Sequence, residues 1–241
     1  MNELSVVIPC VSSVEALSQF VDKLAVHLMG NPSEIDVVIV VNESAGLTED
    51  FVRGIKESYP WLRFEVLVRS GSKRNYGALA RFGIAYSTSR YVVLVSPYGP
   101  DDISIIDQML KKIRGGYQVV QAISESPRAE SKAIGATYGI YRSIYRWLAR
   151  VLVGVEIRSA TNTFKMFDRV FVQSLGLTCN DHSVCTEITF KVLLAGGKLE
   201  YVASSAETAP INNDFRIYRD GVGYSWVLVR GFLHRAGVLW F

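Results

Sequence analysis

The chain has 241 residues, 49% apolar and 20% charged, enough apolar material for one sizeable core and too much for intrinsic disorder. Lys and Arg number 26 against 23 Asp and Glu, and a net charge of +3 is no electrostatic footprint of a nucleic-acid partner. Three scattered cysteines (Cys10, Cys179, Cys185) exclude a disulfide framework or a four-ligand zinc site and fit a reducing compartment.

Taken in chain order, Leu4 to Ile8 is a short β-branched run closed by Pro9 and reads as a buried strand. The opening MNELSVVIP carries an acid and no basic stretch, so no secretory leader is expected. Ser12 and Glu15 fit a capping box, followed by Val14, Leu17, Val21, Leu24 and Leu28 at helical spacing. Asp36 to Val41 is apolar nearly throughout, as a strand covered on both faces should be. Phe64, Val66 and Val68 mark a third strand, Gly77 to Ser87 a helix, and Tyr91 to Val95 a fourth strand. Ile105, Ile106, Met109, Leu110 and Ile113 predict an amphipathic helix, and Tyr117 to Ile123 a fifth strand. Strands separated by helices imply right-handed crossovers. The expectation is an α/β, doubly wound, mostly parallel sheet over roughly the first half of the chain.

The second half changes character. Between Lys132 and Arg150 there are basic residues and no acid, and Arg142, Arg146 and Arg150 share one helix face. Tyr141, Tyr145, Trp147 and Leu148 interleave with them. Ser225 to Phe241 repeats the mixture, with Trp226, Phe232 and Trp240 among Arg230, His234 and Arg235. No uncharged run reaches the roughly 18 residues that span a bilayer.

Several chemistries are excluded. There is no Gly-x4-Gly-Lys-Ser/Thr loop, no Gly-x-Gly-x-x-Gly after the first strand, no Gly-x-Ser-x-Gly and no His-Glu-x-x-His. His27, His182 and His234 are isolated and read as packing or surface residues. Asp101-Asp102 lies just past the fourth strand. Either it faces a ligand at the carboxyl end of the sheet, or it sits at a helix N-terminus where acids suit the dipole.

The order of segments resembles the family-2 glycosyltransferases of the GT-A fold, above all the branch that loads a sugar onto a polyprenyl phosphate, such as dolichyl-phosphate mannose synthases. LSVVIPCVSS is similar to the family's opening strand and turn, and IDVVIVVNESAG to the strand ending in Asp-Asp-Gly-Ser. RSGSKRNYGALARFGIAYS is similar to its Arg-Asn-x-Gly segment, and YVVLVSPYGPDD to the strand ending in Asp-Ala-Asp. SATNTFKMFDRV resembles the later Thr-x-x-Phe-Arg segment, and RDGVGYSW the acceptor loop.

The resemblance implies a GT-A domain over 1–215, with an interfacial helix at about 132–153, then an acceptor-loop remnant and amphipathic helix over 216–241. It implies that Pro9, Cys10, Val11, Asn42, Ser44, Asn75, Gly77, Ser96 and Tyr98 line a nucleotide site, and that Asp101, Asp102, Glu187 and Arg219 are catalytic candidates. It also implies a nucleotide-sugar donor, a polyprenyl phosphate or membrane-lipid acceptor, and a place on the inner, cytoplasmic face of a membrane. Arg142, Arg146, Arg150 and Trp147 would be the membrane contact.

The departures from the family are chemical. Val41-Asn42 replaces the first acidic pair, Ser96-Pro97-Tyr98 the metal motif, Ser159 a further acid, and Val222-Gly223 a Ser-Lys. The family's Mg or Mn is therefore weakened or absent here. Either Asp101 and Asp102 hold a relocated metal, or cations such as Lys73, Arg74, Arg216 and Arg219 replace it. Three functions follow: transfer to a polyprenyl phosphate, a catalytically silent pseudo-glycosyltransferase that binds a protein, lipid or nucleotide, or a metal-independent transferase acting on a soluble glycan.

Overall fold

The computed structural model describes residues 2–11, 14–29, 35–43, 49–70, 75–97, 102–124, 136–159, 162–204 and 217–241. In chain order they form β1 (Leu4–Cys10), α1 (Val14–Leu28), β2 (Ile35–Asn42), α2 (Glu49–Ser58), β3 (Arg63–Arg69), α3 (Tyr76–Tyr86), β4 (Tyr91–Leu94) and α4 (Ile106–Arg114). Then follow β5 (Val119–Ser124), α5 (Ala136–Leu148), β6 (Lys165–Asp168), α6 (Arg169–Ser174), α7 (Val184–Leu194), β7 (Leu199–Ser204) and α8 (Ile217–Arg235). A short 3₁₀ turn, Ile103–Ile105, leads into α4, and a wider π-type turn, Ala149–Val153, extends α5.

The strands make one sheet in the order β3-β2-β1-β4-β6-β5-β7. β6 runs antiparallel to both neighbours, and the remaining pairs are parallel. β1 is buried at every position, which its unbroken apolar sequence requires of a strand covered on both faces. Pro9 is tolerated inside it for a backbone reason. The Val95 amide donates to the Val7 carbonyl, so Val7 and Pro9 turn toward β4, whose ladder with β1 ends at Val7. No ladder bond therefore needs the amide that Pro9 lacks.

Alternate side chains fill two cores. Val6, Ile8 and Val93 pack with Leu17, Leu24 and Met109 beneath α1 and α4. Val7, Val40 and Leu94 pack with Leu79, Ile84 and Ile188 beneath α3 and α7. A third cluster joins α5 and its π-type turn to α8, through Tyr145, Ala149, Val153, Tyr224 and Val227.

The wound core is not confined to the first half, because β6 and β7 complete the sheet. β6 is only four residues long and opens on a lysine, so its sequence carries little strand signal. The segment Arg219 to Trp226, expected as a loop, lies within α8. Ser12, of the expected capping box, lies outside the described residues.

Candidate active site

Parallel winding sets the carboxyl ends of β1, β2, β3 and β4 along one rim, where open α/β sheets hold their ligands. β6 runs the other way and contributes its first residue, Lys165, to that rim. The segment before α7 closes over the N-terminus of α3, where the Ala78 amide donates to the Asn180 carbonyl at 3.1 Å.

Most of the expected nucleotide positions meet there. Pro9 and Cys10 end β1 fully buried, and Val11 follows half-buried. Asn42 is buried at the end of β2, in register with Arg69 of β3. Asn75 stands at the N-cap of α3 with no side-chain capping bond. Ser96 and Pro97 are half-buried just past β4. Ser44, Tyr98 and Asp101 lie outside the described residues, as do Lys73, Arg74, Arg216 and the side chain of Arg219.

Gly77 has a packing reason for being glycine. A Cβ there would stand 2.5 Å from the Asp181 carbonyl oxygen and 2.8 Å from that of Cys179. Gly223 of α8 is held in the same way, since a Cβ would stand 2.3 Å from Asp181 Oδ2. Asp181 Oδ1 meanwhile accepts from the Ser183 amide at 2.9 Å and from its hydroxyl. The His182 ring stacks on that of Tyr76, with centroids 4.5 Å apart. Residues 178–183 thus tie α3, α7 and α8 into one corner of the rim.

Glu187 sits differently from the catalytic acid that the resemblance implies. Its side chain is fully buried and accepts from the Thr178 amide at 3.0 Å, the Thr178 hydroxyl at 2.8 Å and the Cys179 amide at 2.8 Å. Lys191 Nζ pairs with it at 3.0 Å and donates onward to the Leu175 and Gly176 carbonyls. Arg230 of α8 approaches to 3.8 Å and donates to the Thr178 hydroxyl. Burial pushes the Glu187 carboxyl up, but the Cys179 amide, the Lys191 charge and the Thr178 hydroxyl outweigh it and leave it below the ordinary value. With its oxygens so occupied, Glu187 organises the corner rather than facing a substrate. Burial first, then the Glu187 charge, pushes the neighbouring Cys179 thiol up to about 12, so it is no nucleophile.

The described donors do not fit a divalent cation. Mg²⁺ and Mn²⁺ at a diphosphate are held through one or two carboxylates beside the phosphate oxygens, whereas Ser96 offers a hydroxyl and Pro97 none. Asp102 caps the 3₁₀ turn, accepting from the Ser104 amide at 3.1 Å and from its hydroxyl at 2.5 Å. Among the described residues, no group of three His, Cys, Asp or Glu side chains converges.

Sequence reasoning passed over Lys165, although the segment containing it stood out. It is fully buried, and Nζ donates to Gln121 Oε1 at 2.8 Å and to Thr189 Oγ1 at 2.6 Å. A lysine between Phe164 and Met166 in an apolar stretch was the available signal. Beside the rim, an open groove of about 500 Å³ runs along α3 from Ala78 and Asn180 to Gln173, with Arg69, Arg81 and Phe82 in its walls.

The C-terminal helices bury one face against each other. Tyr145 is core, its hydroxyl donating to the Tyr224 carbonyl at 3.0 Å. Gly231 lets α8 approach closely, for a Cβ would stand 2.8 Å from Val153. Outward, α5 and its extension show Ile140, Ile144, Trp147 (62% exposed) and Val151 at helical spacing. α8 shows Val222, Trp226 (57% exposed) and Val229. Arg146 is exposed and donates through Nε to the Ile157 carbonyl, Arg150 is exposed, and Arg142 is half-buried. Among the described residues no helix is long and apolar enough to cross a membrane.

No protein-family model and no curated protein sequence matches the chain. Solved structures do. Mannosyl-3-phosphoglycerate synthase from Rubrobacter xylanophilus superposes with a TM-score of 0.68 at 16% identity, over 99% of this chain and 76% of its own. A mannosyltransferase from Pyrobaculum calidifontis, solved with GDP-Man and Mn²⁺, gives 0.66 at 14% identity, over 97% of this chain and 64% of its own. Glucosyl-3-phosphoglycerate synthase from Mycobacterium tuberculosis, in complex with phosphoglyceric acid, gives 0.64 at 13% identity, over 99% and 81%. At such identities the likeness is one of fold: the chain has the Rossmann-like GT-A fold of nucleotide-sugar glycosyltransferases.

Proposed function

We propose that this protein is a glycosyltransferase that moves a sugar from a nucleotide-diphospho-sugar to a polyprenyl phosphate at the cytoplasmic surface of a membrane. The observation that carries the donor half is the parallel winding of β1 to β4, which gathers Cys10, Asn42, Asn75 and Ser96 on one rim. The acceptor half is supported by α5 and α8. Each turns an apolar, Trp-bearing stripe outward, and neither 136–155 nor 221–241 contains an acid. Arginines near an anionic leaflet contribute about 1 kcal/mol each, and tryptophans favour the interface.

In this reading an acceptor phosphate oxygen attacks the anomeric carbon, the bond from that carbon to the diphosphate breaks, and the nucleoside diphosphate leaves with the electron pair. The phosphate is already an anion, so no strong base is needed. The chain's own part is to bind the base and ribose at the β1–β2 rim and to stabilise charge on the leaving diphosphate. A second reading, a silent scaffold that binds nucleotide or lipid without transfer, is favoured by Asn42, Ser96 and Tyr98 standing in the sequence where the family resembled carries acids.

The test is transfer of label from GDP-mannose or a UDP-sugar to polyprenyl phosphate in anionic vesicles. Labelled lipid supports the proposal. Nucleotide and vesicle binding without labelled lipid supports the silent scaffold, and transfer to a soluble glycan without vesicles contradicts the membrane half.

A further inference from the structure

Three charged side chains are buried among the described residues: Lys165, Glu187 and Lys191. Glu187 and Lys191 neutralise each other. Lys165 does not share that arrangement. Its ammonium rests on two neutral acceptors, and among the described residues no carboxylate lies within ion-pairing distance. A buried charge without an opposite partner is costly, and the cost falls when an anion arrives nearby.

The position of Lys165 tells where that anion would be. In the ladder it stands opposite Leu94, the last residue of β4, and opposite Gln121 of β5. Two residues beyond Leu94, roughly 7 Å along the strand, the chain leaves the sheet at Ser96. Gln121 Nε2 also donates to the Ser159 carbonyl at 3.0 Å, fixing the segment that leads into β6. Thr189 and Cys185 lie one turn apart on α7, whose N-terminus also faces the rim.

We propose that Lys165 is an internal counter-charge for the diphosphate of a nucleotide held at the rim, standing in the sheet where related chemistry uses a bound cation. This rests on the nucleotide reading above. Lys165 acts through the field it sets up and touches no substrate, so it is a positioning residue rather than a catalytic one. The groups facing it are Leu94 from β4, the Gln121 amide from β5, and the Thr189 hydroxyl and Cys185 thiol from α7. Burial lowers its pKa to about 8, partly opposed by Cys185, so the charge is lost just above neutrality.

The experiment is calorimetric titration of the whole chain with UDP and GDP between about pH 7 and pH 9.5, in buffers of different ionisation enthalpy. One charge near a diphosphate predicts affinity falling about tenfold across that range, with proton uptake on binding near pH 8.5. Lys165→Met is expected to bind about as weakly at pH 7 as the wild type does at the upper limit, with no uptake. Wild-type binding with a flat profile and no uptake overturns the role of Lys165 while leaving the nucleotide site intact, even if the variant fails to fold. Failure of the wild type to bind either nucleotide at any pH overturns both.

Discussion

At the scale of single residues, the two buried charge systems act in different pH windows, and stability rises with pH through each. Lys165 has its pKa lowered by burial from 10.5 to about 8, so between those values the unfolded chain holds the extra proton. Stability through this group therefore rises with pH across that window, by up to about 3 kcal/mol. Cys179 works against it above pH 9.0, because its buried thiol ionises only near 12. Urea unfolding of wild type against Lys165→Met isolates the lysine: the difference should favour the variant near pH 7.5 and vanish toward pH 10.5. Glu187 has a lowered pKa, so its contribution is present above 4.5 and fades as the pH falls through the folded value. Glu187→Gln should cost about 3 kcal/mol near neutrality, since it leaves Lys191 buried and unpaired. A loss below about 1 kcal/mol would mean that the corner is held by something else. Neither residue's behaviour was legible from the sequence. Glu187 looks like any acid in the first turn of a helix, and only the fold folds Thr178 and Cys179 back onto it.

At the scale of elements, the rim depends on close backbone approach. Gly77→Ala places a methyl within 2.8 Å of two carbonyl oxygens, which are backbone and cannot rotate away. It should destabilise by about 1–3 kcal/mol, and a measured cost near zero would show that the 178–183 segment is not seated as described. α5 and α8 make the opposite prediction. Trp147→Glu with Trp226→Glu alters exposed side chains and should leave thermal stability within about 0.5 kcal/mol. Binding to anionic vesicles, measured by sedimentation, should fall at least tenfold, and undiminished binding would remove these helices from the membrane half. The aromatic-arginine mixture of α5 was readable in advance, but the roles of its members were not. Tyr145 looks interfacial in sequence, yet it is core because α8 supplies Tyr224 as its partner. The sheet shows the same division. β1 to β5 announce themselves by apolar runs between helical spacings, whereas β6, with four residues and a buried lysine, becomes a strand only through its two neighbours.

At the scale of the whole molecule, the fold is that of the glycosyltransferases the sequence resembles, while the acids of their motifs are not in this sequence. The strand order, the reversed β6 and the likeness to glycosyltransferase structures give the GT-A fold. The strand ends offer an asparagine and a serine where the family resembled has carboxylates, and Asp102 is committed to a turn. Segment order made the fold readable, because each strand end and helix start keeps its place in the series. The charge inside the sheet was not readable, because it depends on Gln121 and Thr189, distant in sequence, meeting around one lysine. The central claim is that the rim still holds a nucleoside diphosphate without needing a divalent cation. Equilibrium titration of the intact protein with UDP and GDP near pH 7, with and without Mn²⁺, tests it most directly. Saturable one-to-one binding of one nucleotide, changed less than about threefold by Mn²⁺, is the predicted result. Absence of binding under both conditions, or binding that appears only with Mn²⁺, would contradict the account.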